Sequence, residues 1–317
     1  MALTKKVMIL AKLETIYGTD ATPVNTANAI LCGSLNITPL AGDSVSRNLV
    51  QPFFGAAQKL LVTTNASVDF EVELAGSGIA GTAPHYAALL KACAMGETVV
   101  AATSVTYAPI TLTSVTQANT SVSIYFQRDG IKHVLLGARG TFTLDLAVKT
   151  LPKFKFNFTG LLGTITDSAL VTTGLVYVAA VPVPVSTVNT TPATVYGLAP
   201  VIESFTLDIA NTVAYRSLIG SESVIISDRA PKGTLKIEAP TVAVKDFFGI
   251  AKANTLGAFS IKHGQTAGNI VTLASNATGM DMDAPKYADN AGVVMLDIGY
   301  NLIPTAAGND EFTLALT

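Results

Sequence analysis

Ser67-Val68-Asp69-Phe70-Glu71-Val72-Glu73-Leu74 alternates apolar and polar residues without a break. A period of two is the pattern of a β-strand with one buried and one wet face. About 165 positions later, Thr234-Leu235-Lys236-Ile237-Glu238-Ala239 alternates in the same phase. At that spacing Phe70, Val72 and Leu74 fall on Leu235, Ile237 and Ala239, while Asp69, Glu71 and Glu73 fall on Thr234, Lys236 and Glu238. Gly55 falls on Gly220, Leu60-Leu61 on Ile225-Ile226, and Ile37 and Leu40 on Ile202 and Phe205. A stretch with helical spacing follows each copy, at 84–95 and 244–253. Repetition on this scale predicts two similar domains, not a solenoid of small units.

The chain has 317 residues, enough for two domains that each bury a core. Its charged fraction is 13 %, against roughly 25 % in a typical soluble chain. So apolar a chain must place its surplus in a membrane or against partner subunits. The uncharged run 168–202 is interrupted by Pro182, Pro184, Pro192 and Pro200, whereas a spanning helix needs about 20 predominantly apolar residues. Lys5 and Lys6 precede the apolar patch Val7 to Ala11, but Lys12 closes it too early for the h-region of a signal peptide. An outer-membrane barrel would also want an export signal and aromatic girdles. Subunit interfaces are therefore the expected destination, with no membrane span. A net charge of −2 argues against binding nucleic acid through a basic face. Cys32 and Cys93 read as small buried hydrophobes of a chain folded in a reducing cytoplasm.

Strand signals dominate the rest. The spacing predicts strands over 31–40, 68–74, 104–112, 121–127, 132–136, 141–148 and 153–159 in the first half. Asp129-Gly130 between two apolar runs predicts a hairpin turn. Residues 44–66 read as a hairpin with a long projecting loop. Pro84 opens a helix in which Tyr86, Leu89, Leu90 and Cys93 share a face, and Gly96 stops it. The stretch 163–199, rich in Thr, Val and Pro, reads as a linker with an extended edge segment. The second half then offers strands at 201–209, 224–227, 234–239, 258–262, 270–273, 292–302 and 311–316. The fold class is mainly β (α+β): two duplicated sandwich-like domains, each with one flanking helix. The boundaries are 1–163 with an N-terminal arm over 1–30, 164–199, and 200–317.

Chemistry is sparse. His85, His133 and His263 have no second His or Cys at metal-ligand spacing. Gly76-Ser77-Gly78 with Gly81 lacks the Lys-Ser/Thr ending of a phosphate loop. Met280-Asp281-Met282-Asp283 lacks the Gly and Glu positions of a calcium loop. The expectation is no enzyme, no cofactor and no metal. Two surfaces stand out instead. Asp69, Glu71, Glu73 and Glu238 read either as an ordinary wet sheet face or as the acidic lining of a channel that repels a phosphate backbone. Arg47, Pro52, Phe53 and Phe54 in the first loop, with Tyr215, Arg216 and Leu218 in its second copy, read as contacts to another subunit.

Several further stretches carry a resemblance. They are Glu14-Thr15-Ile16-Tyr17-Gly18-Thr19-Asp20 with Pro23, Gly76-Ser77-Gly78 with Gly81 and Pro84, and Leu89-Leu90-Lys91-Ala92-Cys93. Val105-Thr106-Tyr107-Ala108-Pro109, the Asp129-Gly130 turn, Gly137-Ala138-Arg139-Gly140 and Phe158-Thr159-Gly160 follow. Asp228-Arg229, His263-Gly264, Ala267-Gly268-Asn269 and Asn309-Asp310-Glu311 close the series. In this order the chain resembles the tail tube proteins of long-tailed, siphovirus-type phages over nearly its whole length. The resemblance implies a virion protein, assembled in the host cytoplasm, whose stacked rings form a hollow conduit for double-stranded DNA. It implies partners in itself, in a tape-measure protein and in tail terminator and tip proteins. Six tube domains per ring is the usual arrangement, so two per chain implies a trimeric, pseudo-hexameric ring. The inner tube of a contractile tail or tailocin, and a two-domain carbohydrate-binding or adhesion module, are the competing readings.

Overall fold

The structure is a computed structural model that describes residues 3–113, 120–177 and 180–317. The first half runs β1 (Val7–Leu13), β2 (Ala29–Ile30), β3 (Gly33–Ala41), β4 (Ser44–Ser46), β5 (Lys59–Leu61) and β6 (Asn65–Glu73). Helix α1 (Ala87–Ala92), β7 (Met95–Val100), β8 (Ser104–Pro109), β9 (Val122–Arg128), β10 (Gly130–Ala147) and β11 (Lys153–Ser168) complete it. The second half runs β12 (Ala193–Val195), β13 (Ile202–Asp208), β14 (Asn211–Leu218), β15 (Ser221–Arg229) and β16 (Lys232–Glu238). Then come α2 (Phe247–Lys252), β17 (Phe259–His263), β18 (Val271–Ser275), β19 (Met280–Met282), β20 (Lys286–Asn290), β21 (Val293–Leu302) and β22 (Phe312–Leu316).

The fold is nearly all β and sandwich-like. A 12-stranded antiparallel sheet carries the main path β19-β21-β16-β13-β10-β11-β6-β3. A 6-stranded sheet, β12-β17-β18-β22-β8-β7, forms the second layer. Both sheets run through the two halves without a gap. In the first, β10 pairs with β13, setting Asp145 opposite Thr206. In the second, β22 pairs with β8, setting Leu314 opposite Tyr107. The repeat is visible in the strand order: β10-β11-β6-β3 in one half, β20-β21-β16-β13 in the other. The hairpin roots, Ser44 opposite Leu61 and Asn211 opposite Arg229, stand 167 and 168 positions apart. The sequence spacing of about 165 differs from this by roughly two residues. A slip of two keeps every side chain on its own face, so the pattern survives it.

The core lies between the layers. The apolar phase of β6, β10 and β11 stacks Phe70, Phe142, Phe154, Phe156 and Phe158 into one buried cluster. Helix α1 lies on that cluster, with Tyr86 against Phe154 at 5.2 Å between ring centroids. In the second half Phe205 and Tyr300 of the large sheet meet Phe259 of the small one. Buried aromatic residues each remove roughly 150–250 Å² from water and so dominate such a core.

Local chemistry explains the departures from the expected elements. The strands expected at 132–136 and 141–148 are one 18-residue strand, β10. Its register shifts between Leu136 and Arg139, where Gly137 takes a φ of 58°. Glycine tolerates this backbone, so Gly137-Ala138-Arg139-Gly140 is a bulge that bends the strand without ending it. Strand β11 continues beyond 163 to Ser168, and β12 recruits Ala193–Val195 from the expected linker into the small sheet. Both helices are short. Asp246 caps α2, its carboxylate accepting from Gly249 N–H at 2.8 Å.

Candidate functional site

Asp69, Glu71 and Glu73 alternate along β6 on the face opposite the phenylalanines, and Glu238 lies exposed on the corresponding face of β16. The register sets Asn157, Lys155 and Lys153 of β11 directly across from the three acids of β6. Lys153 Nζ reaches Glu71 at 3.2 Å, and Asn157 donates to Asp69. Lys155 pairs with Asp145 on the other side, and Lys236 meets Glu203 at 2.9 Å. The four candidate acids therefore share one wet face, where lysines are interleaved with them. Lys153 and Lys155 lie in the stretch 153–159 expected as a strand; their alternation with Phe154 and Phe156 is the signal that finds them.

The two hairpins have different surroundings. Every residue of β4 and β5 is exposed. Between them Arg47 and Pro52 are exposed, Phe53 is 67 % exposed and Phe54 fully so. Its second copy, β14–β15, has an equally bare tip at Ile219, but Val224 midway along it is fully buried. Val224 N–H donates to the Tyr17 hydroxyl at 2.5 Å, and Arg139 Nη1 donates to the Val224 carbonyl at 2.7 Å. This hairpin thus packs on β10 of the first half. Tyr215, half-buried, sits opposite Val224, and Arg216, exposed, sits opposite Ser223.

The seat for Val224 is a buried polar network. Arg139 is fully buried, with its guanidinium 4.8 Å above the Tyr17 ring. Glu14 is also buried and accepts from Gly18 N–H, Ser121 Oγ, Ser123 Oγ and Gly137 N–H at 2.7–2.9 Å. Four donors satisfy this carboxylate, which is what a buried charge requires. A Cβ on Gly137 would stand 2.7 Å from the Tyr17 ring, so the close approach needs glycine. Burial pushes the Tyr17 hydroxyl above its ordinary pKa and so keeps it protonated.

Other stretches singled out in the sequence also meet in space. Arg229 bonds Glu311 at 2.7 Å, the Ile110 carbonyl at 2.9 Å and Asn309 at 3.3 Å. Gly76 N–H donates to Asn269 Oδ1 at 2.8 Å, and Gly78 N–H to the Gly268 carbonyl at 3.0 Å. A Cβ on Gly76 would come within 1.9 Å of the Gly268 carbonyl oxygen. Short stretches that are weak signals singly are thus partners in four polar contacts.

Reactive chemistry does not assemble around the remaining candidates. Among the described residues no three His, Cys, Asp or Glu side chains group as a metal site. His263 is engaged by Thr190 and the Val183 carbonyl. Burial lowers His85 to about 4 and raises Cys32 to about 11. Cys32 and Cys93 are free thiols. No helix among the described residues is long and apolar enough to cross a membrane.

A duplicated two-layer β-sandwich, with continuous sheets and a bare apolar hairpin, has the architecture of a structural subunit. A family model described as phage tail tube protein matches residues 4–302. The chain belongs to that family, a structural component of the virion tail that assembles with itself. A search of curated proteins found no match.

Proposed function

We propose that the chain is the tube subunit of a siphovirus-type, non-contractile tail. Three copies close a ring of six repeats, the rings stack, and genomic DNA leaves through the bore. The observation that carries this reading is the pair of sheet ends: β3 at one and β20 at the other, neither with a second strand neighbour among the described residues, while Gly257 bridges Met280 of β19 beside β20. The chain already contains one join of the required kind, between β10 and β13. A head-to-tail join that repeats by rotation closes a ring. A barrel of this many strands leaves an aqueous channel.

The wet face of the large sheet is the proposed lining, with Asp69, Glu71, Glu73 and Glu238 in the bore. Interleaved lysines weaken its repulsion of DNA without reversing it. The bare tips around Phe53, Phe54 and Ile219 are the proposed contacts to the next ring, with Arg47, Pro52, Tyr215 and Arg216 supporting them. A tape-measure protein within the bore and terminator and tip proteins at its ends are the expected partners.

The test is negative-stain electron microscopy of the purified protein over a concentration series, with mass determination of the smallest ring. Hollow tubes with three chains per ring are expected. Six chains per ring would remove the pseudo-hexamer. A monomer at every concentration, and in the presence of tail tips, would remove the tube assignment.

A further inference from the structure

The turn that joins β9 to β10 holds a chemically reactive pair. Asp129-Gly130 is the single Asp-Gly step in the sequence, and no Asn-Gly step occurs. Arg128 pairs with Ile131, so the turn consists of these two residues alone. Both have positive φ, 26° and 99°, the backbone of the tight turns that favour Asp-Gly. Glycine has no Cβ to shield its main-chain nitrogen. The carboxyl carbon Cγ of Asp129 is therefore open to attack by the nitrogen of Gly130.

That attack closes a five-membered succinimide ring. The bond from Gly130 N to Cγ forms, the Cγ–OH bond breaks, and the hydroxyl leaves as water with the amide proton of Gly130. Water then reopens the ring. Addition at Cγ restores Asp129. Addition at the main-chain carbonyl carbon of Asp129 leaves Gly130 attached through Cγ, as isoaspartate. One water is released and one consumed, so the sum is an isomerisation without oxidant or co-reactant. The product carries one extra methylene in its main chain. A two-residue turn cannot absorb it, so the Arg128–Ile131 pair would part, and the Val7–Arg128 pair beside it would loosen.

The fold ties down the reactive group from outside the turn. Leu3 N–H donates to Asp129 Oδ2 at 2.8 Å, and Lys6 Nζ stands 3.9 Å from Oδ1. Asp129 N–H donates to the Lys6 carbonyl at 3.0 Å, and Lys6 N–H to the Leu3 carbonyl at 3.3 Å, which folds the stretch 3–6 over the hairpin. The main-chain bond alone would fix this stretch to the turn. The two side-chain contacts act on the carboxylate itself, which must swing onto Gly130 N before a ring can close.

We propose that Asp129 is the isoaspartate site of this chain and that the stretch 3–6 is its guard, holding the carboxylate back from Gly130. In a virion protein such a guard has a lasting effect: once the particle has left the cell, a damaged subunit is neither replaced nor repaired.

Two variants release the guard by different routes. Leu3→Pro removes the N–H donor, because proline has none. Lys6→Ala removes the ammonium. Full-length wild type and both variants are aged at physiological temperature and neutral pH. Isoaspartate is counted by enzymatic methylation with a labelled methyl donor and located by peptide mass spectrometry. Leu3→Pro should raise the rate at Asp129 about fivefold, the effect of losing one hydrogen bond to a charged group. Lys6→Ala should raise it about twofold, since an exposed ion pair is weak. Asp129→Glu, which would need a six-membered ring, should abolish the signal in either background. Wild-type rates at Asp129 in both variants would overturn the guard. A rise spread evenly over other Asp and Asn residues would also overturn it, because it would report general loosening. Isoaspartate elsewhere in the chain with Asp129 intact in Leu3→Pro would overturn the site.

Discussion

Arg139 and Val224, 85 positions apart, are held together by a 2.7 Å hydrogen bond from the guanidinium to the main-chain carbonyl. The bond fastens the hairpin of the second repeat to the bulge in β10 of the first. Replacing Arg139 with Met leaves the Val224 carbonyl without this donor, and Glu14 loses a neighbouring cation. A cost of about 3–5 kcal/mol is expected for breaking such a buried charged network on one side. Urea denaturation measures it. Hydrogen exchange should show the loosening concentrated in 211–229.

Arg229 and Glu311 form a second anchor, with side chains only 11 % and 6 % exposed. Glu311→Gln keeps the shape and removes the charge. It should lower stability by roughly 2–3 kcal/mol, since hydrogen bonds to charged groups are the stronger kind. A thermal melt of the variant beside wild type tests this; an unchanged midpoint would mean that the ion pair contributes nothing.

His85 gives an acid sensitivity with a definite sign. Burial lowers its folded pKa from 6.5 to about 4, and among the described residues neither ring nitrogen has a hydrogen-bond partner. The unfolded chain therefore binds the proton first, and stability falls as pH drops from about 6.5 towards 4, then levels off. The whole shift corresponds to at most about 3 kcal/mol. His85→Leu should flatten that part of the stability profile. His133 and His263, also lowered by burial, act in the same direction.

Reversing the acids of the wet face probes the bore. Asp69, Glu71 and Glu73 changed together to Lys would face Lys155 and Lys153 across the β6–β11 pair. Like charges directly opposed cost about 0.2–1 kcal/mol per pair, so tubes should still form. DNA ejection should slow, because the lining would then attract phosphate. Single-particle ejection assays read this, and wild-type ejection from such particles would remove these residues from the bore.

Phe53 and Phe54 are exposed in the free hairpin, at 67 % and 108 %. Changing both to Ser should leave the melting temperature within about a degree, as expected for surface positions. Stacking into tubes should be lost, as seen by electron microscopy. Normal tubes from the double variant would exclude these two residues from the ring-to-ring contact.

Local patterning made much of the fold legible. The alternation in β6 and β16 shows their buried faces, and Asp129-Gly130 makes its turn with φ values of 26° and 99°. The helical stretches are found as well, trimmed at both ends. What was not legible depends on pairing at long range. Nothing near Lys153 says that Glu71 lies within its reach on the next strand, and nothing near Val224 says that Arg139 awaits it. Glu14 reads as an ordinary surface acid until Ser121, Ser123 and Gly137 are brought around it by β1, β9 and β10. Strand β1, an apolar patch too short for a signal peptide, becomes a strand because β9 offers it seven paired residues, Val122 to Arg128.

Continuity of both sheets across the two repeats has a thermodynamic consequence. Linkage in one chain makes the β10–β13 and β22–β8 contacts unimolecular, with an effective concentration set by the connecting chain. Dilution cannot part them. The open ends of the sheet obey mass action, so only they can register how much subunit the infected cell has made.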